Sequence, residues 1–95
     1  MSNYELVYII TPEVSDEDLS ETQNKISEWI GKFGGNTIEV LQWGRKKFSY
    51  PIQKFTEGNY IFTRLEMEPA SIRELEKSLR LSDLILRHLL IRLKT

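Results

Sequence analysis

Seven residues near the N-terminus, Tyr4-Glu5-Leu6-Val7-Tyr8-Ile9-Ile10, form an apolar run broken only by Glu5. The run is too short for a buried helix and is rich in aromatic and β-branched types. It reads as a central strand covered on at least part of both faces. A chain that opens with such a strand must pair it at two edges and cover it with other elements, which commits the fold to a sheet.

The rest of the pattern says what those elements are. Thr11-Pro12 ends the run. Ser15 and Asp18 have capping-box spacing, and Asp16 and Glu17 add negative charge where a helix N-terminus favours it. Leu19, Gln23, Ile26, Ile30 and Phe33 then recur at three and four, and Gly34-Gly35 stops the helix. Residues 36–50 alternate as a long second strand, with Gly44 expected at a bulge or a close backbone approach. Pro51 cannot donate to a ladder, so pairing stops there or the strand is an edge. Thr56-Glu57-Gly58-Asn59 reads as a turn, residues 60–67 as a third strand, and Glu68-Pro69 as the start of a second helix with Ile72, Leu75 and Leu79 buried. Residues 84–93 read as a fourth strand.

Strand, helix, strand, strand, helix, strand is the split βαβ arrangement of an α+β, ferredoxin-like βαββαβ domain. Right-handed crossovers put both helices on one face of a four-stranded antiparallel sheet, in the order 4-1-3-2. With 95 residues, no linker and no repeat, a single domain spanning the whole chain is expected. Such a domain buries roughly 60–65% of its unfolded surface, enough for one modest core. If Leu6, Tyr8, Ile61 and Leu65 face the helices, then Val7, Ile9, Tyr60 and Phe62 lie on the uncovered face. That is an apolar surface of the kind that marks a contact site, unless long side chains such as Arg64 cover it.

Composition removes several function classes. There is no cysteine, hence no disulfide and no thiolate metal site. The single histidine, His88, has no second histidine to share a metal. Neither a signal peptide nor a run approaching the roughly 20 residues of a membrane span is present. No nucleophile elbow, phosphate-cradling glycine loop or zinc-protease helix motif occurs. An acylphosphatase on this topology would need an arginine-bearing anion loop after the first strand. Here that loop, Thr11-Pro12-Glu13-Val14-Ser15-Asp16, is acidic. No catalytic residue, metal or cofactor is expected; the work is binding.

The formal net charge is −1, but its distribution is uneven. Glu5, Glu13, Asp16, Glu17, Asp18 and Glu21 precede the first base. Arg45, Lys46, Lys47 and Lys54 lie in a stretch with no acid, and Lys77, Arg80, Arg87, Arg92 and Lys94 outnumber Asp83 near the C-terminus. A polyanion responds to the local patch rather than the total. An RNA-recognition motif shares the topology, and Gly58, Tyr60 and Phe62 match its third strand in part, but Glu57 stands where a base is wanted.

The segment Trp43-Gly44-Arg45-Lys46-Lys47-Phe48-Ser49-Tyr50-Pro51-Ile52 closely resembles the end of the second strand in the bacterial family of small-subunit ribosomal protein number six. The resemblance extends over almost the whole chain: Tyr4-Glu5, Thr11-Pro12, Gly58 and Tyr60, and Leu79-Arg80 and Asp83 running into Leu86-Arg87. It implies a structural, non-catalytic protein of the cytoplasmic ribosome that binds the central domain of small-subunit ribosomal RNA together with small-subunit ribosomal protein number eighteen. It carries Arg45, Lys46, Lys47, Arg80 and Arg87 over as RNA contacts; Lys54 and Arg92 join them on charge. Such cations neutralise phosphates and release counterions, which positions a protein on RNA more than it reads sequence. Trp43, Tyr60 and Phe62 are the expected contacts with the partner protein, and Tyr50 and Pro51 are expected to be fold-making, an aromatic anchor and a strand stop. Ser2-Asn3 stands where family members often have a basic residue, and the chain ends at Thr95 where many members extend in a tail, so the resemblance carries over neither a phosphate contact at the first place nor tail contacts at the second. Two other classes fit the same pattern. A free-standing ferredoxin-like RNA-binding or regulatory module would not co-sediment with small subunits. A homo-oligomeric small-molecule sensor would dimerise with ligand and ignore RNA.

Overall fold

The computed structural model describes residues 1–94; Thr95, and with it the expectation about the chain's end, lies outside them. The elements run β1 (Ser2–Ile10), α1 (Asp16–Lys32), β2 (Asn36–Ile52), β3 (Phe55–Met67), α2 (Ile72–Leu81) and β4 (Ile85–Arg92). They form one antiparallel sheet in the order β2-β3-β1-β4, the arrangement read from the sequence. No helix among the described residues is long and apolar enough to cross a membrane.

β1 is central because both its edges are taken, by β3 and β4. Leu6, Tyr8 and Ile10 are fully buried beneath the helices together with Ile26, Ile30, Ile61, Leu65, Met67, Leu75 and Leu79. Burying each such side chain contributes roughly 1.5–3 kcal/mol. The face assignment of the sheet therefore holds: Leu6, Tyr8, Ile61 and Leu65 look toward the helices.

Helix α1 starts as its sequence dictates. The Ser15 hydroxyl accepts from the Asp18 amide at 3.1 Å. Its end is a Schellman motif: Gly34, at φ 84, donates to the Gly31 carbonyl and Gly35 to that of Ile30. The buried stripe differs by one position. Thr22, rather than Gln23, is buried between Leu19 and Ile26. Threonine can enter the core because its hydroxyl donates to the Asp18 carbonyl at 2.8 Å, whereas Gln23 stays at the margin with a long bond to Leu19.

Two boundaries also differ. Residues Thr56 to Asn59 are not a turn; they belong to β3, and the reversal is made by Gln53 and Lys54. Gln53 takes φ 57, a left-handed conformation that its side chain does not advertise. Gly58 is a glycine for another reason: a Cβ there would lie 2.5 Å from Ile9 Cγ2 and 3.0 Å from Phe48 Cζ. Pro69 begins a single 3-10 turn, Pro69–Ser71, and α2 follows it.

Candidate nucleic-acid and partner interface

The sheet face away from the helices is uncovered, and its cross-strand registers set out its chemistry row by row. Leu41, Phe62, Val7 and Leu89 stand side by side across all four strands. Leu41 and Leu89 are exposed, Val7 is half-buried, and Phe62 is covered because Trp43 stacks on it with ring centroids 5.2 Å apart and planes 11° from parallel. Trp43 reaches Phe62 through a bulge. Gln42 pairs with Ile61 and Gly44 with Tyr60, which leaves Trp43 as the extra residue and Gly44 at φ 89. This is the bulge anticipated from Gly44.

The row on one side of this apolar band carries a cross-strand ion pair. Glu39, Arg64, Glu5 and Ile91 are neighbours there, and Arg64 pairs with Glu5 at 3.5 Å. Arg64 is thus held at the end of the band and does not blanket it.

The row on the other side, Gly44, Tyr60, Ile9 and Arg87, leads to the cationic end of the sheet. Lys46 Nζ lies 5.5 Å from the Trp43 ring centroid and 5.8 Å from that of Tyr60, within cation–π reach of both. Lys47 is exposed on the same strand. Lys54 sits in the hairpin turn, its Nζ 5.7 Å from the Phe55 ring. Between Lys47, opposite Glu57, and Ile52, opposite Phe55, four residues of β2 face the single Thr56 of β3. The surplus chain bows out and forms a shallow depression of about 220 Å³, where Phe48, Tyr50, Tyr60, Lys47 and Arg87 meet.

The expected cations therefore do not form one set. Lys46 and Arg87 share one end of the open face; Lys47, opposite Glu57, starts from the other face of β2 and lines the bow beside them, with Lys54 at the hairpin tip. Arg45 is engaged within the protein: its Nη2 donates to the Pro12 carbonyl at 2.9 Å and its Nη1 meets Glu57 at 3.2 Å. Arg80 lies on α2, paired with Glu76 at 3.6 Å. Arg92 stands near the far end of β4, opposite buried Tyr4. Of the expected partner contacts, Trp43 and Phe62 belong to the apolar band and Tyr60 to the next row. Tyr50, expected as an anchor, is 64% exposed; Phe48, half-buried over Gly58, anchors the bow instead. Leu41 and Leu89 escaped the sequence reading, and only strand register could have found them.

The Ribosomal protein S6 family model matches residues 3–92. The small ribosomal subunit protein bS6 of Moorella thermoacetica is 36% identical over 94 residues, covering 99% of this chain and 96% of the relative. That of Desulforamulus reducens is 35% identical over 92 residues, 97% of each. A crystal structure of 30S ribosomal protein S6 from Thermotoga maritima superposes with a TM-score of 0.92 at 29% identity, covering 97% of this chain and 87% of that one. With its fold, its residues and its length all matched, this chain belongs to the ribosomal protein S6 family, non-enzymatic structural components of the small ribosomal subunit.

Proposed function

We propose that this protein binds the central domain of small-subunit ribosomal RNA jointly with small-subunit ribosomal protein number eighteen, in the ribosome of the cytoplasm. The observation that carries the reading is the division of the open sheet face. The apolar band through Leu41, Phe62, Val7 and Leu89, exposed at Leu41 and Leu89, lies beside an end bearing Lys46 and Arg87, with Lys47 at the bow and Lys54 at the hairpin tip. An apolar band suits a protein partner, because RNA offers it little to bury. Lysines held in no ion pair among the described residues suit phosphates. The two surfaces adjoin, so a partner on the band can extend the cationic end and hold both proteins in one orientation.

A few cations on a chain of net charge −1 give a shallow, salt-sensitive attraction by themselves. The acids Asp16, Glu17 and Asp18 in the first turn of α1 add nothing to it. RNA binding by this chain alone is therefore weak, and partner and RNA raise each other's affinity. Reciprocal coupling of this kind is typically about 1–3 kcal/mol. Calorimetry with a central-domain RNA fragment, with and without purified protein eighteen, tests it. Tight binding by this chain alone, unchanged by the partner, would favour an independent RNA-binding module.

A further inference from the structure

We infer that the bow of β2 at Phe48 and Tyr50 is a stacking site for one unpaired RNA base whose flanking phosphates are held by Lys47 and Arg87. The inference rests on the RNA-binding reading above and adds to it a site and a kind of nucleotide.

Four observations converge on it. The bow is built: four β2 residues oppose one β3 residue, a larger departure from the ladder than a single extra residue, and bulges of this sort re-aim side chains. Its floor is fixed, because Phe48 lies tilted on Tyr60 with centroids 6.1 Å apart and over the bare Cα of Gly58. Its rim carries an aromatic ring open to solvent: Tyr50 is 64% exposed. Charge complements it too. Glu57, the acid opposite Lys47, is engaged by Arg45, and neither Lys47 nor Arg87 is in an ion pair among the described residues.

Size selects the ligand. About 220 Å³ is below the ~300–1,000 Å³ of sites that engulf a drug-sized molecule. It suits one flat ring laid against Tyr50, with sugar and phosphate left outside at the cations. A base inside a duplex cannot reach that position, whereas a bulged or looped base can, and stacking on aromatic side chains is how such bases are held. Stacking tolerates any base, so the site prefers an unpaired nucleotide over a particular sequence.

Two measurements decide it. In the first, the central-domain RNA fragment is titrated into this chain with protein eighteen, using wild type, Tyr50→Ala and Tyr50→Phe. We expect Tyr50→Ala to lose about 5- to 150-fold in affinity, the range for one stacked base, with the salt slope unchanged and the melting temperature intact. Tyr50→Phe should bind as wild type does. Equal affinity for Tyr50→Ala and wild type overturns the stacking site while leaving the RNA-binding reading in place. In the second, hexaadenylate at millimolar concentration is added to this chain alone and followed by NMR. Upfield shifts of the Tyr50 ring protons, with changes at Arg87, support the site. Their absence, or changes confined to Leu41 and Leu89, overturns it. This second arm does not depend on the ribosomal RNA fragment, so failure of that fragment to bind wild type would count against the RNA-binding reading and leave the base site to be judged by the probe.

Discussion

Single atoms decide much of the cationic end of the sheet. Gly58 is the clearest case, since its missing Cβ is the space in which Phe48 and Ile9 meet. Gly58→Ala should destabilise the fold by about 1–3 kcal/mol, as overpacking of a tight contact does. A urea midpoint equal to that of wild type would mean that the bow yields freely. His88 is a second residue with a measurable signature. Burial is the main reason its pKa is lowered from the ordinary 6.5; Glu76 works against this and Arg80 with it. The unfolded chain therefore takes up the proton at higher pH than the folded one. Stability from this group is whole above pH 6.5 and declines as pH falls through that value toward the folded pKa, below which the loss is complete. Urea denaturation at several pH values should show this decline in wild type and a flatter profile in His88→Gln. Identical profiles would contradict it.

Among the elements, β2 is the unusual one. It is an edge strand of 17 residues with three register shifts against β3. Regular, long and apolar edge strands invite pairing with other chains, and bulges discourage it. In β2 the same bulges also perform placement: one lays Trp43 on Phe62, and another swings Phe48 and Tyr50 over the sheet. Helix α1 is regular by comparison, with the Ser15 hydroxyl capping one end and a Schellman motif the other. Removing its N-cap hydroxyl by Ser15→Ala should cost about 0.5–2 kcal/mol, measured by thermal or chemical denaturation. No change would show that the acids of the first turn and the core contacts of Ile26 and Ile30 hold the helix unaided.

At the scale of the whole molecule, charge and apolar surface are sorted into bands along the open face of the sheet. The sheet's open face has an apolar middle and a cationic end, while the acids of α1 belong to the helical layer behind it. Two double variants separate the roles. Leu41→Asp with Leu89→Asp should abolish partner binding and leave the fold intact, because both side chains are exposed. Lys46→Gln with Lys47→Gln should leave partner binding and weaken RNA binding, lowering the salt slope by about one unit per lost phosphate contact. If the lysine pair changes nothing in RNA binding, the RNA surface lies elsewhere, first at Arg80, Arg87 and Arg92 among the cations expected from the sequence.

How much of this was legible without coordinates follows from the range of the forces involved. Periodicity, caps and breakers act within a few residues, so the six elements, their order, the two faces of the sheet and the Gly44 bulge could all be read from the chain. The family resemblance rests on the same local words, such as Arg45 to Ile52. Misreadings came where one residue type serves two ends. Gly58 looked like a turn but is a close approach, and the real reversal sits on Gln53, whose conformation no side-chain preference announces. Tyr50 looked like an anchor, although burial depends on where the bow in β2 carries the ring. The cations looked like one set, yet an ion pair such as Arg45 with Glu57, or a placement such as Arg87 beside Lys47, depends on residues distant in the chain. The layers of this protein follow from the chain's own pattern, because hydrophobic spacing suffices to build them. Which side chains stand next to one another on a face came only with the folded sheet, because cross-strand register joins residues that are far apart in the chain.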